Sequence, residues 1–336
     1  MPEIRPFEPR DIDAAVALWN GSVARGEVVF YPTDRDRFEH DIWDAPCDVR
    51  PFSFAAVEGG ALIGFLIGAC QREYLPGETP ASTPGYLVAL FVDPAWRRRG
   101  VGTQLLSALE RALRAAGKPS VSVSGTSPIQ LSWLIPGTPG HDHNNTPGMD
   151  NGCAGYPFAQ ARGFREQAAE VAMYLDLGTY RPDPSLEGKK AALEAQGIRT
   201  GRYDVTLGYD YDRMCTRVGS EYWRKVLRDE IASPAPRPIL AATHEGHIVG
   251  FTGPVDRQPS GRGWFTGICT DPEYERRGIA TVLFNMLMGE FIQVGAAFST
   301  LFTGRENWAQ KIYLGAGFRP VRAFSYMNKP LDREDD

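Results

Sequence analysis

The sequence lacks an apolar run long enough to cross a bilayer. The longest such run, residues 61–70, is far shorter than the roughly 20 residues that a membrane-spanning helix requires. The start of the chain, Met1 to Arg5, has none of the features of a secretory signal peptide. We therefore expect a cytoplasmic protein that has no membrane partner.

Cysteine is scarce as well. The 336 residues include five cysteines, an odd number, and none of them forms a C-x-x-C pair. Scattered cysteines are typical of reduced thiols in the cytosol and argue against a disulfide framework. His141 and His143 flank Asp142, but the sequence places no third strong ligand group near them, so we expect no metal site.

The chain also has no excess of positive charge. Its formal net charge is −5, whereas a general nucleic-acid binder is basic, so we expect no nucleic-acid partner. The arginines cluster at residues 97–99 and 276–277, which favours a local anion over a long polyanion. The length suits two domains, and a hydrophobic content of 43% is enough for two cores.

What the sequence does contain is an internal repeat. Residues 93–102 read DPAWRRRGVG and residues 271–280 read DPEYERRGIA, with the same spacing from Asp-Pro to glycine. Each loop follows a short strand-like run, residues 86–92 or 264–270, and leads into an apolar helical stretch. A repeat this regular predicts two copies of one fold.

The order of strand, basic glycine-containing turn and helix start is suited to binding phosphate. Glycine lets the backbone approach the ligand, and the N–H groups and dipole of the first helical turn attract an anion. Neither a G-x-G-x-x-G after the strand nor a Gly-Lys-Ser/Thr is present, so dinucleotide-binding and P-loop sites are excluded.

Residues 97–102 resemble the R/Q-x-x-G-x-G/A loop of the GNAT (Gcn5-related N-acetyltransferase) superfamily, which cradles the pyrophosphate of acetyl-CoA. The resemblance covers nearly the whole chain, and each copy ends on Gly-Phe, at 163–164 and 317–318, before a last strand. It implies an α/β (α+β) protein of two tandem GNAT folds. Each fold would be a mixed, mostly antiparallel twisted sheet flanked by helices.

The expected domains are residues 1–178, a linker at 179–197 with one short helix, and residues 198–331. The first copy has about 24 extra residues, broadly 126–155, and a long loop beside a ligand site is often functional. We expect this insert to cover the substrate or to hold the two domains together. Because a pseudo-twofold pair within one chain replaces a dimer, we expect a monomer.

The resemblance also implies where acetyl-CoA binds. Backbone groups of the strand before each loop would hold the pantetheine, and an N–H there would polarise the thioester carbonyl. The implied cofactor contacts are Leu90, Phe91, Val92, Arg97, Arg98, Arg99, Gly100, Val101, Gly102 and Thr103 in the first copy, and Ile268, Cys269, Thr270, Arg276, Arg277, Gly278, Ile279, Ala280, Thr281 and Asn307 in the second.

The two copies differ in their chemistry. GNAT enzymes commonly use a tyrosine five places before the closing phenylalanine to protonate the departing thiolate; this position is Tyr313 in the second copy and Ala159 in the first. We predict Tyr313 as the catalytic acid, with aromatic packing as the alternative. The R/Q position is Arg97 in the first copy but Glu275 in the second, and a carboxylate there weakens CoA binding by a few-fold to about a hundredfold.

No carboxylate or histidine stands on either strand, so we expect a water-relayed base or an amine that arrives partly deprotonated. We interpret Cys269 as a buried strand cysteine and not as an acetyl carrier.

The predicted function is transfer of an acetyl group from acetyl-CoA to a primary amine of a small molecule, by direct attack in a ternary complex. Two alternatives stay open. One is an acyl-CoA-binding sensor with one or both lobes inactive; the other is an acetyltransferase resembling mycothiol synthase. The acidic balance disfavours a transferase that uses aminoacyl-tRNA.

Overall fold

The computed structural model describes residues 2–331, and the chain divides into two units. The first unit comprises the chain up to Val171 together with the segment from Arg322 onward; the second unit is Ala172–Val321. The chain therefore passes from one unit to the other inside two strands, residues 165–176 and 319–330. All helices among the described residues are too short or too polar to span a bilayer.

The first unit follows the element order expected from the repeat. Its elements are β1 (Glu3–Pro6), α1 (Ile12–Ala24), α2 (Arg35–Phe38), β2 (Phe54–Glu58), β3 (Ala61–Ala69), β4 (Gly85–Val92), α3 (Val101–Ala115), β5 (Ser120–Val123), β6 (Trp133–Leu134), β7 (Asp142–His143), β8 (Met149–Asp150), α4 (Gly155–Ala161) and the first part of β9 (Arg165–Asp176).

The second unit repeats this order in shorter form. After the end of β9 it contains α5 (Leu186–Glu194), β10 (Arg199–Arg202), α6 (Asp212–Val218), α7 (Glu221–Ile231), β11 (Leu240–His244), β12 (His247–Thr252), β13 (Arg262–Trp264), β14 (Ile268–Thr270), α8 (Ile279–Gln293), β15 (Phe298–Gly304), α9 (Gln310–Gly315) and the first part of β16 (Arg319–Pro330).

The sheet of the first unit is mixed. Strands β1 to β4 pair antiparallel in chain order, β4 and β5 are parallel, and the end of β16 pairs antiparallel with β5. The apolar face of α3 packs on this sheet through Leu105, Leu109 and Leu113, each fully buried. The predicted α/β (α+β) class, with a mostly antiparallel sheet flanked by helices, is confirmed.

The second unit has an antiparallel sheet in the order β10-β11-β12-β14, and β13 pairs in parallel with β15. The sequence predicts one strand over 264–270; this is wrong, because the run breaks into β13 and β14 around Phe265 to Gly267. The predicted linker 179–197 contains the expected helix, α5, which packs within this unit through buried Leu186 and Leu193.

A close contact between helix and strand recurs in both copies. A Cβ on Gly85 of β4 would lie 2.2 Å from Cδ2 of Leu113 on α3, and one on Gly263 of β13 would lie 2.5 Å from the ring of Phe291 on α8. Only glycine lets each helix approach its strand this closely.

We expect Gly85→Ala to lower the stability of the protein by about 1–3 kcal/mol, because the fully buried side chain of Leu113 must shift within the core to admit the new methyl group. The measurement is the Tm by scanning calorimetry. Gly188→Ala is the control, since it lies exposed in α5 with no atom within 4 Å of a new Cβ; alanine there should leave the Tm unchanged or raise it slightly. Equal Tm values for the two variants would contradict the close contact.

Candidate active site

The two glycine loops have the same backbone conformation. Arg98 and Gly100 have φ of 62° and 84°, and Arg276 and Gly278 have φ of 59° and 93°. Left-handed residues in such a turn direct successive N–H groups towards one side, where they form an anion-binding nest. The helices begin directly after the glycines, at Val101 and Ile279, so the predicted passage from loop to helix is confirmed.

The N–H groups of the first loop are free to bind an anion. Those of residues 100–103 donate no hydrogen bond to any residue from 2 to 331, as the first turn of a helix leaves them unpaired. Asp93 Oδ1 accepts a hydrogen bond from the N–H of Ala95 at 2.8 Å. In the second loop, Asp271 Oδ1 accepts one from the N–H of Glu273 at 3.0 Å. Both aspartates therefore stabilise the turn.

The side chain of Arg97 has another partner. Its Nε donates to the carbonyl oxygen of Val92 at 2.9 Å, and its two terminal nitrogens donate to the carboxylate of Glu27 at 2.9 and 2.7 Å. Arg25 binds the same carboxylate at 3.0 Å through each of two nitrogens. Hydrogen bonds from Arg97 and then Arg25 lower the pKa of Glu27 to about 2. Arg97 thus ties the loop to the end of β4.

A cleft opens where β4 leaves β5. These strands pair at Gly85 and Tyr86, after which β4 continues to Val92 alongside β3. The gap holds a cavity of about 890 Å³ within the first unit. Nine of the ten first-copy residues expected at acetyl-CoA line this cavity: Leu90, Phe91, Val92, Arg97, Arg98, Gly100, Val101, Gly102 and Thr103. Arg99 lies over the ring of Trp96, 5.3 Å from its centroid.

The predicted insert forms a second wall of this cavity. Residues near both ends of the insert, within 127–131 and 146–155, line the cavity. Asp150 anchors the later part, since Arg322 donates to both of its oxygens at 2.7 Å and the N–H of Gly152 donates at 2.8 Å. This placement favours the substrate-covering role of the insert. His141 and His143 instead pack against the buried ring of Trp133, at 5.8 and 5.6 Å between centroids.

In the second unit, packed aromatic rings stand at positions that match the cavity-lining residues Leu87 and Ala159. Phe265 lies where the strand breaks, and its ring centroid is 5.2 Å from Phe284 and 5.8 Å from Tyr313. Tyr313 is 6% exposed, and its centroid is 5.0 Å from Phe284 and 6.4 Å from Phe318. Burial raises the pKa of Tyr313 to about 12. The first copy has smaller side chains at three of these four positions, which are Leu87, Leu106 and Ala159.

The other expected contacts of the second copy are placed as follows. Ile268, Cys269 and Thr270 form β14, which pairs with β12. Burial raises the pKa of the Cys269 thiol to about 12, so this cysteine is protonated at neutral pH. Arg277 lies 4.9 Å from the centroid of Tyr274, and Asn307 Oδ1 accepts from the N–H of Ala309, a contact that shapes the turn before α9.

Sequence reasoning missed another wall of the cavity, the segment from Glu27 to Phe30 after α1, which pairs with the insert through Phe30 and Trp133. Its only signal is the short apolar run that follows Glu27, and such a run is equally typical of a core strand. Arg322, the partner of Asp150, was missed as well, because 172 positions of sequence separate the two residues.

The ion pair of Glu27 predicts a pH-dependent contribution to stability. The pKa lies below its ordinary value, so the ionised group stabilises the fold above about pH 4.5, and this contribution is lost as the pH falls towards about 2. Glu27→Gln should cost about 1 kcal/mol at pH 7. The difference in Tm between the parent and this variant should shrink at pH 4 and below. The control, Glu187→Gln, removes an exposed helical ion pair and should change the Tm little at either pH. A Tm difference independent of pH would contradict the ion pair.

Comparison with known proteins agrees with this geometry. The model of the family described as "Acetyltransferase (GNAT) family" matches residues 21–128 and 207–318, once in each copy. The aminoglycoside N(6')-acetyltransferase type 1 of Salmonella typhimurium is 37% identical to this chain over 59 residues, which is 18% of this chain and 40% of that protein. The match thus spans less than half of the curated relative.

Solved structures of the same family cover the whole chain at low identity. A GCN5-related N-acetyltransferase from Sphaerobacter thermophilus matches 100% of this chain and 97% of its own at 18% identity, with a TM-score of 0.53. A tandem GNAT protein from the clavulanic acid biosynthesis pathway matches 100% of both chains at 16% identity, with a TM-score of 0.50.

A glucosamine N-acetyltransferase region in a fungal multi-domain β-N-acetylglucosaminidase reaches a TM-score of 0.57 at 17% identity, over 98% of this chain and 38% of that one. At these identities the likeness shows the fold. The family match, the repeated loop and the two-copy fold agree, and the chain belongs to the GNAT acetyltransferase family as a tandem member.

Proposed function

We propose that this protein is an acetyl-CoA-dependent N-acetyltransferase that acts on a primary amine of a small molecule, and that the reaction takes place in the first unit. The observation that carries the proposal is the cavity that joins the unpaired N–H groups of residues 100–103 to the edge of β4 that no longer pairs with β5. A cytoplasmic, monomeric protein without a nucleic-acid partner is part of the same proposal.

The residues of this cleft fit acetyl-CoA. The N–H groups of residues 100–103 would hold the diphosphate, supported by the helix dipole and by the exposed guanidinium of Arg98. Residues 90–92 would pair with the pantetheine amides as an added strand, since this part of β4 has left β5. When bound, acetyl-CoA supplies an activated acetyl thioester.

The chain's own residues then position the reactants. An N–H of residues 90–92 would stabilise charge on the thioester oxygen. Glu27 and Asp150, the carboxylates that line the cavity among the described residues, each accept two hydrogen bonds from an arginine, so neither is free to take the proton of the amine. The amine would lose its proton to water or arrive neutral. A thiol has an ordinary pKa near 8.5, so the leaving group does not depend on a dedicated acid.

The second unit would not transfer an acetyl group in this scheme. Phe265 and Tyr313, whose rings pack together, stand where the first unit has the smaller cavity-lining residues Leu87 and Ala159, and would leave less room for a ligand. The assignment of Tyr313 as the catalytic acid stays a prediction of the sequence. Its burial among aromatic rings supports the packing alternative.

A matched pair of glycine variants tests which loop binds the cofactor. Gly100→Ala places alanine at φ of 84°, a strain of about 1–2 kcal/mol, and should weaken acetyl-CoA binding about 5- to 30-fold in isothermal titration calorimetry. Gly278→Ala creates the same strain in the second loop, where a new Cβ has no atom within 4 Å, and should leave the dissociation constant unchanged.

Three results would count against the proposal. Absence of acetyl-CoA binding by the parent protein would reject it outright. Weaker acetyl-CoA binding by Gly278→Ala, with unchanged binding by Gly100→Ala, would show that the cofactor binds in the second unit. Acetyl-CoA binding with no thiol release across a broad panel of amines would favour the sensor alternative.

Variants of Tyr313 separate catalysis from packing. We expect Tyr313→Phe to keep kcat within about twofold, because the ring stays in place, and Tyr313→Ala to lower stability by about 3–5 kcal/mol. Steady-state kinetics and calorimetry are the measurements. A loss of kcat of about a hundredfold or more in Tyr313→Phe, with an unchanged Tm, would show that the hydroxyl is a catalytic acid.

A further inference from the structure

We infer that the acceptor of the first-unit cleft is a monoamine with an apolar body, and not a polycationic amine. This inference rests on the proposed function and concerns the part of the cavity beyond the loop and β4.

One wall of this acceptor region is the segment that follows α1. Val28 and Phe30 line the cavity and are half-buried, so each leaves apolar surface towards it. Phe30 is held from behind by Trp19, whose ring centroid lies 5.2 Å away and which is itself 3% exposed. Trp19 in turn donates its indole N–H to the carbonyl oxygen of Tyr31 at 2.8 Å. This wall is therefore apolar and rigidly backed.

The insert supplies the adjoining wall, since its residues 132–134 form backbone hydrogen bonds with residues 29–31, and this wall is also mostly apolar. Ile129 and Leu131 are buried lining residues, and Met149 is a half-buried one. Thr146 lines the cavity too, but its hydroxyl already donates to the carbonyl oxygen of Leu131 at 2.9 Å. A flexible thioether beside branched side chains favours an aliphatic or aromatic ligand.

The acidic groups on the cavity are already paired. Among the described lining residues, the carboxylates are Glu27 and Asp150. Four guanidinium nitrogens, two each from Arg97 and Arg25, bind Glu27, and two from Arg322 bind Asp150. Neither carboxylate thus offers an uncompensated negative charge to a second cation.

This charge pattern favours acceptors that have a single amino group. The nitrogen that attacks the thioester is neutral when it reacts, so it needs no counter-ion in the cleft. Each further ammonium of a polyamine stays charged, and it would leave water without gaining an anionic partner. The guanidinium group of Arg162, a residue that also lines the cavity, adds repulsion.

An apolar monoamine differs from the aminoglycosides that the name of one relative specifies. Aminoglycosides carry several ammonium groups, and the Salmonella aminoglycoside acetyltransferase matches 18% of this chain. The walls described above offer those groups no free carboxylate, so the acceptor class does not follow from that match.

The test is steady-state acetylation by the full-length protein, followed as thiol release at saturating acetyl-CoA. n-Hexylamine and 1,6-diaminohexane differ by one terminal ammonium, and 2-phenylethylamine and kanamycin extend the comparison. We expect kcat/KM to be at least tenfold higher for n-hexylamine than for 1,6-diaminohexane, and higher for 2-phenylethylamine than for kanamycin.

Phe30→Ala should lower kcat/KM for both monoamines at least fivefold without changing the KM for acetyl-CoA. Leu75→Ala is the control, at an exposed position off the cavity, and should change neither.

Equal or better use of 1,6-diaminohexane or kanamycin would overturn the inference and leave the proposed function intact. Acetyl-CoA binding in calorimetry with no thiol release from either monoamine would also overturn it. Failure of acetyl-CoA to bind at all would overturn the proposed function itself. Titration of Phe30→Ala with acetyl-CoA shows whether that variant is folded, so that a loss of activity can be assigned to the acceptor wall.

Discussion

Two parallel strands that diverge leave a gap, and a protein interior closes such a gap either with side chains or with a ligand. The first unit meets this constraint with a cavity, because Leu87 and Ala159 are too small to reach across it. The second unit has the larger rings of Phe265 and Tyr313 at these two positions, and the rings pack together. The two units thus differ in a few side-chain volumes on a shared backbone plan.

The anion site depends on backbone geometry more than on arginine side chains. Both loops keep left-handed residues at the same two places, and both lead directly into a helix. Arg97, the side chain that the loop pattern emphasises, is bound by Glu27 and by the carbonyl oxygen of Val92. Its contribution is to hold the loop against the strand, so that the N–H groups keep their direction.

The same ion pairs shape the chemistry of the cleft. Arginine binds both carboxylates on the cavity, which removes a direct base and leaves the acceptor region without free negative charge. Catalysis then relies on positioning and on backbone N–H groups. These supply much of the rate enhancement when a good leaving group is already present. Specificity for the acceptor amine then depends on the apolar walls at Phe30 and Met149.

The sequence by itself determined the repeat, the order of elements and the passage from loop to helix, because glycine spacing and apolar periodicity are local properties. It also located the insert, whose ends line the cavity. It did not show the break at Phe265, which is an apolar residue inside an apolar run and becomes a gap-filling ring only beside Phe284. Nor did it show that Glu27 binds Arg97 or that Arg322 binds Asp150, since these partners are 70 and 172 positions apart. Which lobe has room for a ligand was decided by tertiary packing alone, because an empty volume belongs to no single residue and depends on every side chain around it.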